Sequence, residues 1–263
     1  MHDFAFVFAG FAVGLIVGLT GVGGGSLMTP LLIFFFGVKP HLAIGTDLLF
    51  AAFTKLGGTV SLARARIVDW NIVGLTAAGS IPASLATLYA LHLLGPASPA
   101  AHAVMTTTLG VALLLTAAAT LYKAVYGKEA PREIALSDLA AATRPRHWAL
   151  PVLFGAVIGA LVTITSVGAG AIGVIVLMLL YPALPLPRIV AADIAHAVPL
   201  TLVAGLGHAS IGSVEWALLA KLLLGSLPGI WIGSQLMRKT PERLIRSLLS
   251  LLLAYAGTKL IAL

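Results

Sequence analysis

Apolar runs separated by short polar punctuation extend along nearly the whole chain. The pattern divides it into ten apolar segments, at about 4–20, 26–37, 42–63, 70–93, 100–122, 148–165, 171–182, 189–209, 215–236 and 243–262. About 20 apolar residues cross a bilayer as a helix, and most of the segments approach that length. The second and seventh, about a dozen residues each, are too short for an upright span. They are expected as partial helices or as arms of re-entrant hairpins. The segments are rich in Leu, Ala and Val and lack the short alternating runs of a barrel, so helices are expected throughout. The fold class that follows is all-α, a polytopic membrane protein.

The segments repeat. Residues 47–82 align without a gap on 193–228, Asp47 falling on Asp193. Val68-Asp69-Trp70 falls on Val214-Glu215-Trp216, and Gly79-Ser80-Ile81-Pro82 on Gly225-Ser226-Leu227-Pro228. With one residue of slippage, Val22-Gly23-Gly24-Gly25 matches Val167-Gly168-Ala169-Gly170. The expected organisation is a first repeat at 1–122, a central loop at 123–147 read as a solvated cytoplasmic linker, and a second repeat at 148–263. Each repeat holds five segments, an odd number, so the two are expected in opposite orientations. Inverted repeats are typical of secondary transporters, whose sites lie where short, Gly-interrupted segments recur at matching positions.

Composition strengthens the membrane reading. Hydrophobic residues make up 59% of the chain and charged residues 10%, against about 25% charged in a typical soluble domain; mean hydropathy is +1.05. The net charge of +7 does not imply nucleic acid, because the basic residues lie in short connections. If each segment crosses and the first enters from outside, twelve basic residues fall inside: Arg64, Arg66, Lys123, Lys128, Arg132, Arg144, Arg146, Arg188, Arg238, Lys239, Arg243 and Arg246. Only Lys39 and Lys259 fall outside. The positive-inside rule then puts both termini outside. The first segment lacks a basic leader and reads as retained rather than cleaved. There is no cysteine, hence no disulfide or Cys-based metal site. No phosphate-binding loop, HExxH or G-x-S-x-G is present, so neither catalysis, ATP hydrolysis nor a cofactor is expected.

Two groups of residues carry candidate transport chemistry. The first is the pair of Gly-rich breaks, Thr20, Gly23, Gly24, Gly25 and Ser26 in one repeat and Ser166, Gly168, Ala169 and Gly170 in the other. Glycine allows positive φ and close backbone approach, and a helix starting at a break aims its amides and dipole at it. Two such ends would cradle a small anion; alternatively the glycines serve tight helix packing. The second group is ionisable. Of nine acidic residues, only Asp47 and Asp193 fall well within segments. Acids in lipid are costly and face cavities or partners. They are read as accepting protons or holding a cation, or else as capping helix ends or pairing with bases. Lys55 follows Asp47 on the same face and would draw an anion or pair with an acid. His196 shares a face with Asp193 and would relay protons or serve packing. Lys221 reads as a snorkelling side chain and His208 as structural. Trp70 and Trp216 read as interfacial anchors, Pro82 and Pro228 as helix kinks.

At these residues the chain resembles the sulfite exporter TauE/SafE family. The matching stretches are GLTGVGGGSLMTPLL (18–32), AIGTDLLFAAFTK (43–55), VDWNIVGLTAAGSIPA (68–83), SVGAGAIGVIVLMLLYP (166–182), AADIAHAVPLTLVAGLGHASIGSVEW (191–216) and LLLGSLPG (222–229). The resemblance implies export of a small anion, such as sulfite, an organosulfonate or a related organic acid, across the cytoplasmic membrane, coupled to an ion gradient. Ala169 weakens the second glycine motif, and Ala191-Ala192-Asp193 stands opposite Gly45-Thr46-Asp47, so a threonine contact carries over only to Thr46. The implied partners are the anion, a coupling ion (H+ or Na+) and the bilayer. The rival readings are a passive anion channel with a glycine-lined constriction and an intramembrane enzyme.

Overall fold

Helix boundaries fall where the sequence supplies turn chemistry. In the computed structural model, which describes residues 2–20, 25–126, 143, 147–168, 170–236 and 242–261, the helices are α1 (His2–Thr20), α2 (Gly25–Phe36), α3 (Pro40–Arg64), α4 (Trp70–Leu94), α5 (Pro99–Tyr126), α6 (Ala149–Thr165), α7 (Ala171–Leu180), α8 (Leu186–Ser210), α9 (Trp216–Leu236) and α10 (Glu242–Ile261). No strand occurs among the described residues. Asp69 caps α4 by accepting from the amides of Asn71 at 3.1 Å and Ile72 at 3.3 Å, which satisfies two otherwise orphaned donors. Pro40 opens α3 at a position where a missing N–H costs nothing. The central loop lies almost wholly outside the described residues.

Length and composition sort the helices. Trp70–Leu94, Pro99–Tyr122, Leu186–Ser210 and Trp216–Gly233 are each long and apolar enough to cross a membrane. Helix α3 has 25 residues, roughly 37 Å of helix, but carries Asp47, Lys55 and Arg64. It hides the first of these: residues 43–52 are buried without interruption. Helices α2 and α7, of 12 and 10 residues, reach only about 18 and 15 Å, as their short apolar segments require. Outward faces are apolar, with Leu85, Tyr89 and Leu93 on α4 and Leu224, Leu227 and Trp231 on α9 exposed. Trp70 and Trp216 are exposed at the first positions of their helices, as interfacial anchors would be.

Packing crosses between the two halves of the chain. The most extensive contacts pair α1 with α9, α4 with α6, α5 with α10, and α3 with α8. Glycine makes the first two possible. A Cβ on Gly79 of α4 would overlap the Val152 carbonyl oxygen of α6, and Cβ atoms on Gly155 and Gly159 would overlap the Thr76 and Ser80 carbonyls of α4. The same meetings recur between α9 and α1: Gly225 against the Val7 carbonyl, Gly10 against Leu222, Gly14 against Ser226. These six contacts correspond pairwise under the offset seen in the sequence. Helix association in lipid depends on close backbone approach rather than a hydrophobic force, so these glycines hold the bundle. Helices α3 and α8 are each 25 residues long, with Asp47 and Asp193 in the same place within them.

Two glycines on α4 separate packing from helix propensity. Gly79→Ala forces α4 from α6 and is expected to destabilise the protein by about 1–3 kcal/mol, the usual cost of overpacking. Gly74, whose Cβ would meet nothing within 4 Å, should accept alanine with no loss, since alanine favours helix. Thermal unfolding in detergent compares the two.

Candidate functional site

Asp47 has no exposed surface and is held from two sides. Thr29 of α2 donates to its Oδ2 at 2.5 Å, and Ser166, between α6 and α7, donates to the same oxygen at 3.0 Å. The other oxygen, Oδ1, is buried with no hydrogen-bond partner among the described residues. One carboxyl of the first half is therefore tied to the glycine-rich break of the second. An unsatisfied buried oxygen of this kind calls for a functional explanation.

The second break supplies its serine through unusual backbone. Ser166 ends α6 in the left-handed region at φ 60°, costly for a residue with a Cβ. Gly168 and Gly170 follow at φ 130° and 128°, values that only glycine adopts readily. Thr165 Oγ1 accepts from the Val167 amide at 3.1 Å. Two of the first amides of α7 are satisfied inside the break, Gly173 N–H by the Gly168 carbonyl at 3.2 Å and Val174 N–H by that of Gly170 at 3.0 Å. The break thus presents a side-chain hydroxyl to Asp47 as well as backbone.

Around this node lie the other ionisable groups. Asp193 of α8 is buried and stands against α7, where a Cβ on Gly173 would overlap its Oδ1. Lys55, about two turns further along α3, is buried and interacts electrostatically with both Asp193 and Asp47. His196 is buried on α8 with Nε2 at 2.8 Å from Ser80 Oγ of α4, and it too lies in the field of Lys55. Asp47, Asp193, Lys55 and His196 form one charge-coupled set at the crossing of α3 and α8.

Other sequence candidates have different places. The Thr46 hydroxyl accepts from the Glu215 amide at 3.1 Å, at the start of α9, so its contact is with a helix start and not with Asp47. Thr20 ends α1, and Gly25 and Ser26 begin α2. Gly23, Gly24 and Ala169 lie outside the described residues. His208 Nε2–H donates to the Thr163 carbonyl at 2.9 Å, tying α8 to α6. The sequence reading passed over Thr29 and Ser80, the hydroxyl partners of Asp47 and His196. Ser80 sits inside a repeated block, which was a usable signal. Thr29 is an isolated threonine in an apolar run, with nothing local to mark it. Thr163 Oγ1 donates to Ser84 Oγ at 2.7 Å, extending the polar seam between α4 and α6.

Comparison with known proteins agrees on the class. The family described as Sulfite exporter TauE/SafE matches residues 6–260. Probable membrane transporter protein YjnA of Bacillus subtilis (strain 168) is 35% identical over 264 residues, covering 97% of this chain and 98% of that protein. Probable membrane transporter proteins YdhB and YunE of the same organism are 29% and 26% identical, covering 95% and 97% of this chain and 97% and 96% of those proteins. No solved structure matches the chain.

The clamp on Asp47 has a measurable worth. Thr29→Val keeps the side-chain volume and removes one donor to a buried carboxyl, a loss of about 1–3 kcal/mol. Its melting temperature in detergent should fall below wild type. Thr54→Val, whose hydroxyl bonds only the Phe50 and Ala51 carbonyls of its own helix, should melt near wild type.

Proposed function

Because the chain belongs to the sulfite exporter TauE/SafE family of membrane transporters, we propose that it is a secondary active transporter exporting a small anion by alternating access. Sulfite comes first among substrates, then an organosulfonate such as sulfoacetate or a related organic acid. Coupling is to H+ or Na+ across the cytoplasmic membrane. The observation that carries this reading is the Asp47 carboxyl, buried without exposure and shared between α2 and the α6–α7 break. An ionisable group kept inside the bilayer region costs stability and marks an ion or substrate path. Lys55 supplies the positive charge an anion needs, and the two breaks supply backbone able to approach it.

Residues 1–122 and 148–263 then act as two inverted repeats joined by a cytoplasmic loop at 123–147. The pairwise-matched glycine contacts support the duplication, and the distribution of Lys and Arg supports termini on the outside. Thr20, Gly23, Gly24, Gly25, Ser26, Thr46, Lys55, Ser166, Gly168, Ala169 and Gly170 are assigned to the anion path, and Asp47, Asp193 and His196 to coupling. Rocking of one repeat against the other would expose this centre to each side in turn.

Two measurements test the reading. Sulfite, sulfoacetate, taurine and simple carboxylates are screened by thermal shift on the purified protein; a true substrate raises the melting temperature, and more so as its concentration rises above its Kd. In proteoliposomes, Asp47→Asn should abolish accumulation driven by an imposed pH or sodium gradient while the protein still purifies as a folded species. Full gradient coupling in that variant would refute the role of the acid.

A further inference from the structure

The four ionisable groups at the crossing of α3 and α8 allow the charge of the transport step to be worked out. Resting on the carrier reading above, we propose that the protein moves a monovalent anion together with one proton, as an electroneutral pair whose outward movement is driven by the anion's own gradient, with Lys55 as the anion ligand and Asp47 Oδ1 as the proton acceptor.

The ionisable groups facing this centre are few. Asp47 and Lys55 come from α3, Asp193 and His196 from α8; His208, also buried on α8, is tied to the Thr163 carbonyl of α6, while Lys221 of α9 is only partly buried and Glu215 before it is exposed. The described parts of α2, α6 and α7 contain no Asp, Glu, Lys, Arg or His facing it, and His92 and Tyr89 of α4 are exposed. With both acids as carboxylates, Lys55 as ammonium and His196 as the neutral imidazole paired with Ser80, the set would carry a single negative charge. Lys55 is engaged with both acids in that state. An anion entering then would raise the buried charge to two negatives and would compete with the carboxylates for the only buried ammonium among the described residues, which is prohibitive in a medium that cannot screen charge.

Protonation of Asp47 removes both obstacles. It leaves Lys55 balanced by Asp193 alone, and the arriving anion restores the single negative charge the empty site carried. The loaded and empty carriers then bear the same charge, so a complete transport cycle moves no net charge across the membrane. The proton binds by forming an O–H bond at Asp47 Oδ1 and leaves by the same bond breaking to water on the other side; no redox partner is involved. Oδ1 is the one carboxyl oxygen of Asp47 not already taken, since Thr29 and Ser166 both direct hydroxyl hydrogens at Oδ2. A desolvated metal cation needs several oxygen lone pairs and distance from Lys55, whereas a proton needs one oxygen. That geometry favours H+ over Na+ as the coupling ion.

The experiment is sulfite uptake into proteoliposomes at mildly acidic pH, where the substrate is the monovalent hydrogen sulfite, with protein-free vesicles subtracted and the membrane potential clamped by potassium and valinomycin. About 60 mV shifts the accumulation ratio of a singly charged species tenfold. Wild type should show no such shift, should respond to an imposed pH gradient, and should ignore a sodium gradient. Asp47→Asn, a fixed mimic of the protonated acid, should keep slower exchange that no longer responds to pH and now shifts tenfold with 60 mV. Lys55→Met should lose sulfite flux while retaining wild-type helicity and elution. Wild-type flux driven by potential or by sodium overturns this proposal and leaves the carrier standing. Absence of protein-dependent sulfite flux under every gradient overturns the sulfite carrier itself, and this proposal with it.

Discussion

Lipid removes the force that joins helices in water. Two apolar helices gain little by leaving hydrocarbon for each other, so they must approach closely enough for backbone and small side chains to interlock. In this protein that constraint is met by Gly10, Gly14 and Gly225 between α1 and α9, and by Gly79, Gly155 and Gly159 between α4 and α6. Everything at the centre depends on them. The seam between α4 and α6 sets Ser80 against His196 and Ser84 against Thr163. The C-terminal end of α6 delivers Ser166 to Asp47. A shift of a few tenths of an ångström along that seam would be felt directly at the buried carboxyl.

The polar residues at the centre act through each other. Ser166 accepts a left-handed backbone conformation and in return gives its hydroxyl to Asp47. Gly173 leaves room for Asp193 on the other side. Lys55 lies in the field of both acids, and His196 in the field of Lys55. The three charged groups are the kind that a bilayer-spanning protein keeps only for use. The set spans both halves of the chain, Asp47 and Lys55 coming from one and Asp193 and His196 from the other.

Much of the architecture was legible from apolar runs, because hydrocarbon leaves a helix as almost the only way to satisfy the backbone. The ten segments coincide with the ten described helices to within a few residues, and the two short ones were visible as short. Asp47 and Asp193 stood out for the same reason, being charges where none is tolerated idly. Side-chain partners were harder. Ser80 had its repeated block to mark it, but Thr29 is indistinguishable in sequence from the many hydroxyls, such as Thr116 or Thr201, that bond a carbonyl of their own helix. Choosing among them requires knowing which helices cross. Thr46 shows the converse: its neighbour is the buried Asp47, yet a helix turns it about 100° away to the start of α9. The glycines of α1 and α4 carried their packing role openly only once the two sets could be laid on one another.

The crossed pairing of the halves also bears on how the molecule is made. Helix α1 is synthesised well before its main partner, α9. Until then the glycine face of α1 has no backbone to meet and must be covered by lipid or by a helper in the membrane. Contacts so distant in sequence are slow to form. The rate of assembly is therefore set late in translation, when α9 arrives and closes the bundle around a site whose first acid, Asp47, was inserted long before.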